Sequence, residues 1–147
     1  MRYALIAFVL LLLGVGAWVR LAPIDPAEWH VDPLTTPSPS SPNYARIGPG
    51  VLEGPDLPSL AAAAHRVMIA MPRTRLIAGS VQAGWMTYQT RSLFWGFPDY
   101  TSIRILAGQN RRATLVALAR ARFGYSDGGV NSDRLETLYA RLEHAFP

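Results

Sequence analysis

The first stretch of the chain is uniformly apolar. Residues 3–19 carry no charge, and Arg2 and Arg20 bracket this run of seventeen residues. As an α-helix the run would extend about 26 Å at ~1.5 Å per residue, close to the ~30 Å hydrocarbon core of a bilayer. Trp18 stands where an aromatic side chain commonly meets the membrane interface. The pattern therefore predicts a membrane anchor over residues 1–22.

A cleaved signal peptide is the alternative reading of the same residues. Val15-Gly16-Ala17 offers the small residues that a signal peptidase needs, but bulky Trp18 follows at once. Arg2 and the free amino terminus favour a cytoplasmic start to the helix, because positive charge is enriched on that side. We expect a single-pass topology with the rest of the chain outside the cytoplasm.

The next stretch, residues 23–50, is rich in proline. It holds seven of the twelve prolines of the chain, and no hydrophobic period runs through it. Proline at this density favours extended, polyproline-like chain. We predict a linker that lifts the domain off the bilayer; a ligand for a proline-recognition domain is the alternative.

Periodic patterns return after residue 50 and predict one α+β domain over residues 51–147. Apolar stripes at helical spacing predict a helix over 57–71, capped by Asp56, and a last helix capped by Asn131. Alternating patterns predict strands, with a hairpin turn at Gly108-Gln109-Asn110; the strands cover 51–54, 74–78, 85–92, 100–106 and 113–123. Short connections imply a mainly antiparallel sheet of four to five strands with both helices packed on one face.

Composition excludes several kinds of site. The chain has no cysteine, so disulfides, thiol nucleophiles and thiolate metal sites are ruled out. Its three histidines are far apart, and we expect neither a metal site nor a cofactor. The net charge of +4 is too small and dispersed for a nucleic-acid footprint. All fourteen basic residues are arginine, the better bidentate partner for phosphate and carboxylate.

Several arginines form a candidate site for an anion or a partner. Arg120 and Arg122 share one face of a predicted strand, about 7 Å apart. Arg104 and Arg91 are expected on the polar face of the neighbouring strands, near the start of the last helix. With the helix residue added, the candidates are Arg91, Arg104, Arg120, Arg122 and Arg134. The alternative is that they pair with carboxylates to order loops; Asp99, Asp127 and Asn131 are the residues predicted for that role or for a polar site.

Two further patterns have ordinary structural explanations. Gly124 to Gly128 matches the G-x-S-x-G pattern of serine hydrolases, but a helix should start directly after Ser126 and the predicted cap is five residues late. Six aromatic residues lie between positions 85 and 100. Most are expected in the core, and Trp95 is the candidate for an exposed binding rim.

Two segments resemble the bacterial domain-of-unknown-function 1499 family. One runs from Thr90 to Asp99 (TRSLFWGFPD), and the other runs from Arg120 to Asn131 (RARFGYSDGGVN), followed by Arg134. The resemblance covers roughly residues 42–143. Ala121, Gly128 and Ser132 depart from the residues usual in the family. Membership implies an envelope-associated bacterial protein and no particular activity.

We therefore expect a protein of the bacterial inner membrane whose domain faces the periplasm and binds rather than transforms its partner. The expected partners are the membrane, through residues 3–19, and an anionic small molecule, a lipid headgroup or an envelope protein. The alternative is a small hydrolase-type enzyme that uses the Arg and Asp loop region on a phosphorylated or acylated substrate.

Overall fold

The computed structural model describes residues 1–108 and 112–146. Gln109 and Asn110 of the predicted hairpin turn therefore lie outside the described residues. Its elements, in chain order, are α1 (Arg2–Leu21), α2 (Pro26–Trp29), β1 (Tyr44–Ile47), β2 (Glu53–Gly54), α3 (Leu57–Ile69), β3 (Thr74–Ser80), β4 (Trp85–Arg91), β5 (Pro98–Ala107), β6 (Ala113–Ala121) and α4 (Val130–Ala145). The predicted α+β class is confirmed.

The sheet is antiparallel throughout. Its strands follow the order β1-β6-β5-β4-β3, and β2 pairs with one end of β6. This makes six strands, slightly more than the predicted four to five. The additional strand is β1, whose Tyr44 lies opposite Arg120. The sequence did not reveal it because β1 is only four residues long and follows the proline-rich stretch.

Helices α3 and α4 pack on one face of the sheet, as predicted, and enclose the core. Asp56 caps α3 and accepts a hydrogen bond from the Ser59 amide at 2.7 Å. Both helices bury one apolar stripe against alternate side chains of the central strands. Fully buried examples are Leu60, Met68, Leu138, Leu142, Met86, Ile103 and Leu115.

The start of α4 corrects one prediction. The helix begins at Val130 after Gly129, whose φ is 88°, so Asn131 is not the cap. The Asp127 carboxylate instead accepts hydrogen bonds from the amides of Gly129 and Asn131, both at 3.0 Å. An acidic side chain satisfies the free amides of a first turn well. Asn131 is instead the second residue of α4, and its side chain is fully buried against the rest of the domain.

The opposite face of the sheet, here called the outer face, is covered by residues that we predicted to form a linker. Trp29 of α2 is buried against Tyr100. Its carbonyl accepts a hydrogen bond from the Ser102 hydroxyl at 2.9 Å. The structure therefore differs from the linker prediction: α2 and β1 fall within residues 23–50 and belong to the domain. Val116 and Leu118 point to this face by alternation and are buried, which explains the need for a cover.

Helix α1 is long and apolar enough to cross a membrane by length and composition, and a signal sequence passes the same test. Most of its apolar side chains are exposed, because the rest of the domain does not cover them. Only Gly16 and Val19, near its end, are buried. The last turn of α1 therefore rests against the domain, and the rest of the helix stands free of it.

Candidate functional site

Three of the predicted arginines lie under the segment that covers the outer face. Arg104 forms an ion pair with Asp32. The guanidinium carbon of Arg120 lies 4.6 Å from the centre of the Trp29 ring. Arg122 donates to the Pro23 carbonyl at 3.4 Å. These side chains fasten residues 23–32 to the sheet and do not line an open site.

Arg134 is on the helix-covered face, apart from the other predicted arginines. It pairs with Asp99 at 3.0 Å, and both side chains are largely buried. Its second terminal nitrogen donates to the side-chain oxygen of Asn131. The Asn131 amide in turn donates to Asp127 at 2.7 Å and to the Asn43 carbonyl at 3.4 Å. The sequence motif shared by these residues thus becomes a polar network that fixes the loop before α4.

Electrostatics agrees with an ordering role for this network. Burial raises the pKa of the Asp99 carboxyl, and the charge of Arg134 works against that rise. Burial alone would also raise the pKa of Asp127. The hydrogen bonds from the amides and side chain of Asn131 and from Gly129 outweigh it, so that the pKa of Asp127 is lowered. Each carboxylate is committed to a partner inside the protein.

A cleft of about 290 Å³ opens beside this network, lined in part by Asp99, Ser126 and Asp127. It is where a hydrolase would have its nucleophile. The Ser126 hydroxyl accepts a hydrogen bond from the Gly128 amide at 3.2 Å. Over residues 1–108 and 112–146, no histidine contacts Ser126, and no group of His, Asp and Glu could hold a metal ion.

Arg91 has a different environment from the other candidates. It lies at the end of β4 and donates to the carbonyls of Gly96, Val19 and Arg20 at 2.8, 3.4 and 3.2 Å. It lines a cleft of about 390 Å³ together with Arg20, Arg73 and Arg75. We call this opening, where four arginines meet, the arginine cleft.

Arg73 and Arg75 are held in a way that leaves their terminal nitrogens free for another group. The Nε of Arg73 donates to the Arg91 carbonyl at 2.9 Å, and the Nε of Arg75 donates to Gln89 Oε1 at 3.0 Å. Within the described chain, neither side chain has a protein partner at its Nη atoms. A guanidinium fixed through Nε presents the planar fork that binds phosphate or carboxylate bidentately.

The positive charge of the arginine cleft has no nearby counter-charge. In the part of the chain that the structure describes, no carboxylate lies within 4.0 Å of these four guanidinium groups. Burial lowers the pKa of Arg91, and repulsion from Arg75, Arg20 and Arg122 lowers it further. Like charges held together without compensation favour the arrival of an anion.

Arg73 also occupies an unfavourable backbone conformation. Its φ is 56°, in the left-handed region that favours glycine. A non-glycine residue there costs about 1–2 kcal/mol. Strain of this kind is common at binding sites, where the side chain is needed despite the cost.

Sequence reasoning identified Arg91 but missed Arg20, Arg73 and Arg75. Arg75 lies in β3 and Arg73 lies in the turn directly before it, so the pair of arginines around the start of a predicted strand was a usable signal. The register that sets Arg75 opposite Gln89 on β4 was not readable from the sequence. Arg20 was predicted only as the flank of the anchor.

Comparison with known proteins agrees with the two motifs. A model of the family described as "Protein of unknown function (DUF1499)" matches residues 26–142. The match begins at the first residue of α2, so the family unit includes the segment that covers the outer face. No curated protein sequence matches the chain. With about four-fifths of its length matched, the chain belongs to the DUF1499 family.

Proposed function

We propose that this protein is a membrane-tethered binding module whose arginine cleft binds a phosphate-bearing anion, the headgroup of an acidic membrane lipid. In this proposal α1 spans the bacterial inner membrane and the domain faces the periplasm. The observation that carries it is the meeting of four arginines in one open cleft at the end of the apolar helix, with no carboxylate of residues 1–108 and 112–146 within 4.0 Å of their guanidinium groups.

A lipid is favoured over a soluble anion by where the cleft lies. Arg20 is both the last charged residue of α1 and part of the cleft wall. The carbonyls of Val19 and Arg20 accept hydrogen bonds from Arg91, so the cleft is attached to the end of the apolar helix. Lipid phosphates occupy this level when the helix is embedded. Arginine supplies the bidentate geometry that phosphate needs.

A retained anchor is favoured over a cleaved signal by Gly16. This residue lies within the segment that a peptidase would remove, yet it is buried, between the side chain of Arg20 in its own helix and Trp95 of the domain. We expect the protein to remain in membranes after extraction at alkaline pH. A reporter fused to the C-terminus should be active only if it is a type that works after export. Soluble periplasmic protein beginning at Trp18 would contradict the anchor.

The hydrolase alternative gains no support from the geometry. Asp99 and Asp127 are engaged in the network that orders the α4 loop, and Ser126 has no histidine beside it in the described chain. We therefore do not propose a reaction.

The cleft is tested with Arg73→Gly, which removes one guanidinium and suits the left-handed backbone at that position. The full chain in neutral detergent micelles is titrated with short-chain phosphatidylglycerol and, separately, with inorganic phosphate. Loss of one charge-assisted contact, worth about 1.5–3 kcal/mol, should weaken lipid binding at least about tenfold. The free energy of unfolding should change by no more than about 1 kcal/mol, because strain relief offsets the lost Nε contact.

Arg66→Ala is the matched control, since Arg66 is exposed on α3 and lies outside the cleft. It removes the same charge and should leave binding unchanged. Equal weakening by both variants would mean that only net charge matters. Binding of inorganic phosphate without binding of the lipid would contradict the headgroup assignment, and absence of both would contradict the site.

A further inference from the structure

An exposed apolar loop lies between β4 and β5, and we call residues 92–97 the apolar loop. At its tip Leu93 is 63% exposed, Phe94 is 82% exposed and Trp95 is 43% exposed. Single exposed apolar residues are normal on a soluble protein, but three in a row are not. Helix α1 covers part of Trp95, and the described chain leaves most of Leu93 and Phe94 uncovered.

The apolar loop is attached to the end of α1. Arg20 donates to the Phe94 carbonyl at 2.6 Å. A methyl group built on Gly16 would lie 3.9 Å from Cε3 of Trp95, so the indole sits beside the last turns of the helix. A second contact joins the same end of α1 to the domain: the centres of the Trp18 and Phe123 rings are 5.9 Å apart. The loop is therefore held at a fixed height along the helix.

That height decides what covers the loop. Gly16 precedes Arg20 by four residues, which is about 6 Å along a helix axis. Trp95 thus lies level with Gly16, in the apolar part of α1. The Arg20 side chain reaches back to the same level, because its Nη1 lies 3.7 Å from a methyl group built on Gly16. The loop and this guanidinium therefore share one level along the helix, where the apolar core of a membrane meets its headgroups. Tryptophan and phenylalanine are well suited to this interfacial depth, where a ring can be buried while its polar neighbours stay wet.

We propose that the apolar loop inserts into the interfacial layer of the same membrane that α1 spans, so that the domain rests on the bilayer. This rests on the membrane anchor of the proposed function but does not require a bound headgroup. The apolar loop and the arginine cleft are adjacent, because Ser92, Leu93 and Gly96 of the loop also line the cleft. With the tip inserted, the cleft opens at the level of the lipid phosphates.

Spin labels on introduced cysteines test the proposal, because the chain has no cysteine of its own. Leu93→Cys and Phe94→Cys are labelled in the full chain reconstituted into vesicles of neutral phosphatidylcholine. Val51→Cys is the control: Val51 is 56% exposed and neighbours the first residues of β6. The apolar loop is near the other end of that strand, since Arg122 donates its amide to the Pro98 carbonyl.

We expect both loop labels to be accessible to oxygen and shielded from an aqueous nickel chelate. The ratio of the two accessibilities should be severalfold higher at 93 and 94 than at 51. If the labels at 93 and 94 are accessible to the nickel chelate while the protein resists alkaline extraction, insertion of the loop is overturned and the anchor is supported. Strong coupling between labels at 94 of two chains would show that a second copy covers the loop. Release of the protein by alkali would contradict the membrane anchor, and it would contradict insertion of the loop as well.

Discussion

The indole of Trp29 stacks on the ring of Tyr100, with 4.0 Å between the ring centres and 21° between the planes. Trp29 lies in a proline-rich stretch without periodicity, and Tyr100 lies in the middle of the sheet. Through this contact residues 26–36, which the sequence predicted as part of a linker, cover the outer face of the sheet, opposite the face covered by α3 and α4. It also explains why Arg104 and Arg120 are not free.

Truncating the stack should destabilise the domain. We expect Trp29→Ala to lower the free energy of unfolding by about 3–5 kcal/mol, because a large buried ring is replaced by a cavity. Phe94→Ala is the control, since it removes a ring of similar size that is exposed; its effect should stay within about 0.5 kcal/mol. Chemical denaturation of the full chain in detergent measures both. Equal effects would mean that Trp29 is not held as the structure has it.

Because residues 26–36 cover the outer face, we expect the folded domain to begin before them. The sequence alone predicts that deleting residues 1–42 leaves a soluble folded domain. The structure leads to the opposite expectation, because that deletion removes α2 and leaves Tyr100 and Leu118 open to water. A chain beginning at Asn43 should aggregate or lose cooperative unfolding, and a chain beginning at Pro23 should keep it. Circular dichroism melts and size-exclusion chromatography distinguish them; identical melts would show that the cover adds no stability.

Arg120 should contribute an intermediate amount of stability. A free surface charge would contribute almost nothing, and a buried ion pair would cost about 3–5 kcal/mol when broken. Arg120 instead lies over the Trp29 ring and donates to the Glu28 carbonyl at 3.3 Å. A cation–π contact of this kind is worth about 0.5–2 kcal/mol, so Arg120→Ala should cost that amount in thermal unfolding. A change as small as that of the exposed control Arg66→Ala would show that the contact contributes nothing.

The Asp99–Arg134 pair should make stability depend on pH. Because burial raises the pKa of Asp99 in the folded state, the native protein binds this proton more tightly than the unfolded chain. The stability it contributes is fully present below the unfolded pKa of about 3.9 and is lost as pH rises through the folded pKa. Arg134 limits that loss by favouring the carboxylate.

Arg134→Met removes this compensation. It should destabilise the protein by about 3–5 kcal/mol at neutral pH, by leaving a buried carboxylate without its partner. The deficit relative to the unaltered protein should shrink as the pH falls and Asp99 takes up a proton. Adding Asp99→Asn should remove the pH dependence of the deficit. Denaturation curves at several pH values measure it, and a deficit that is constant with pH would contradict the role assigned to Asp99.

Much of the fold was predictable because it depends on local periodicity. Strands such as Tyr100–Leu106 alternate apolar and polar residues, and the stripe through Leu135, Leu138 and Leu142 recurs at helical spacing. Such patterns identify an element and the face it buries. They also suffice to identify the family, since both motifs are continuous in sequence.

The site was less predictable, because a period of two tells which face a side chain takes and not what lies on that face. Arg104 and Arg120 were correctly assigned to one face of the sheet, but only the folded chain shows that Asp32 and Trp29 cover them. Asp127 was expected to order a loop or line a polar site, and its bonds to the α4 amides show how it orders one.

The sequence by itself determined the apolar helix and the antiparallel α+β domain, and it supplied a set of candidate arginines of which one, Arg91, lies in the arginine cleft. Only the tertiary structure decided which arginines remain available. Arg91 meets Arg20 across 71 positions of sequence, and it meets Arg73 and Arg75 through the pairing of β3 with β4. Contacts over such separations are set by register and by packing of a segment that has no period of its own. Neither leaves a local pattern in the chain.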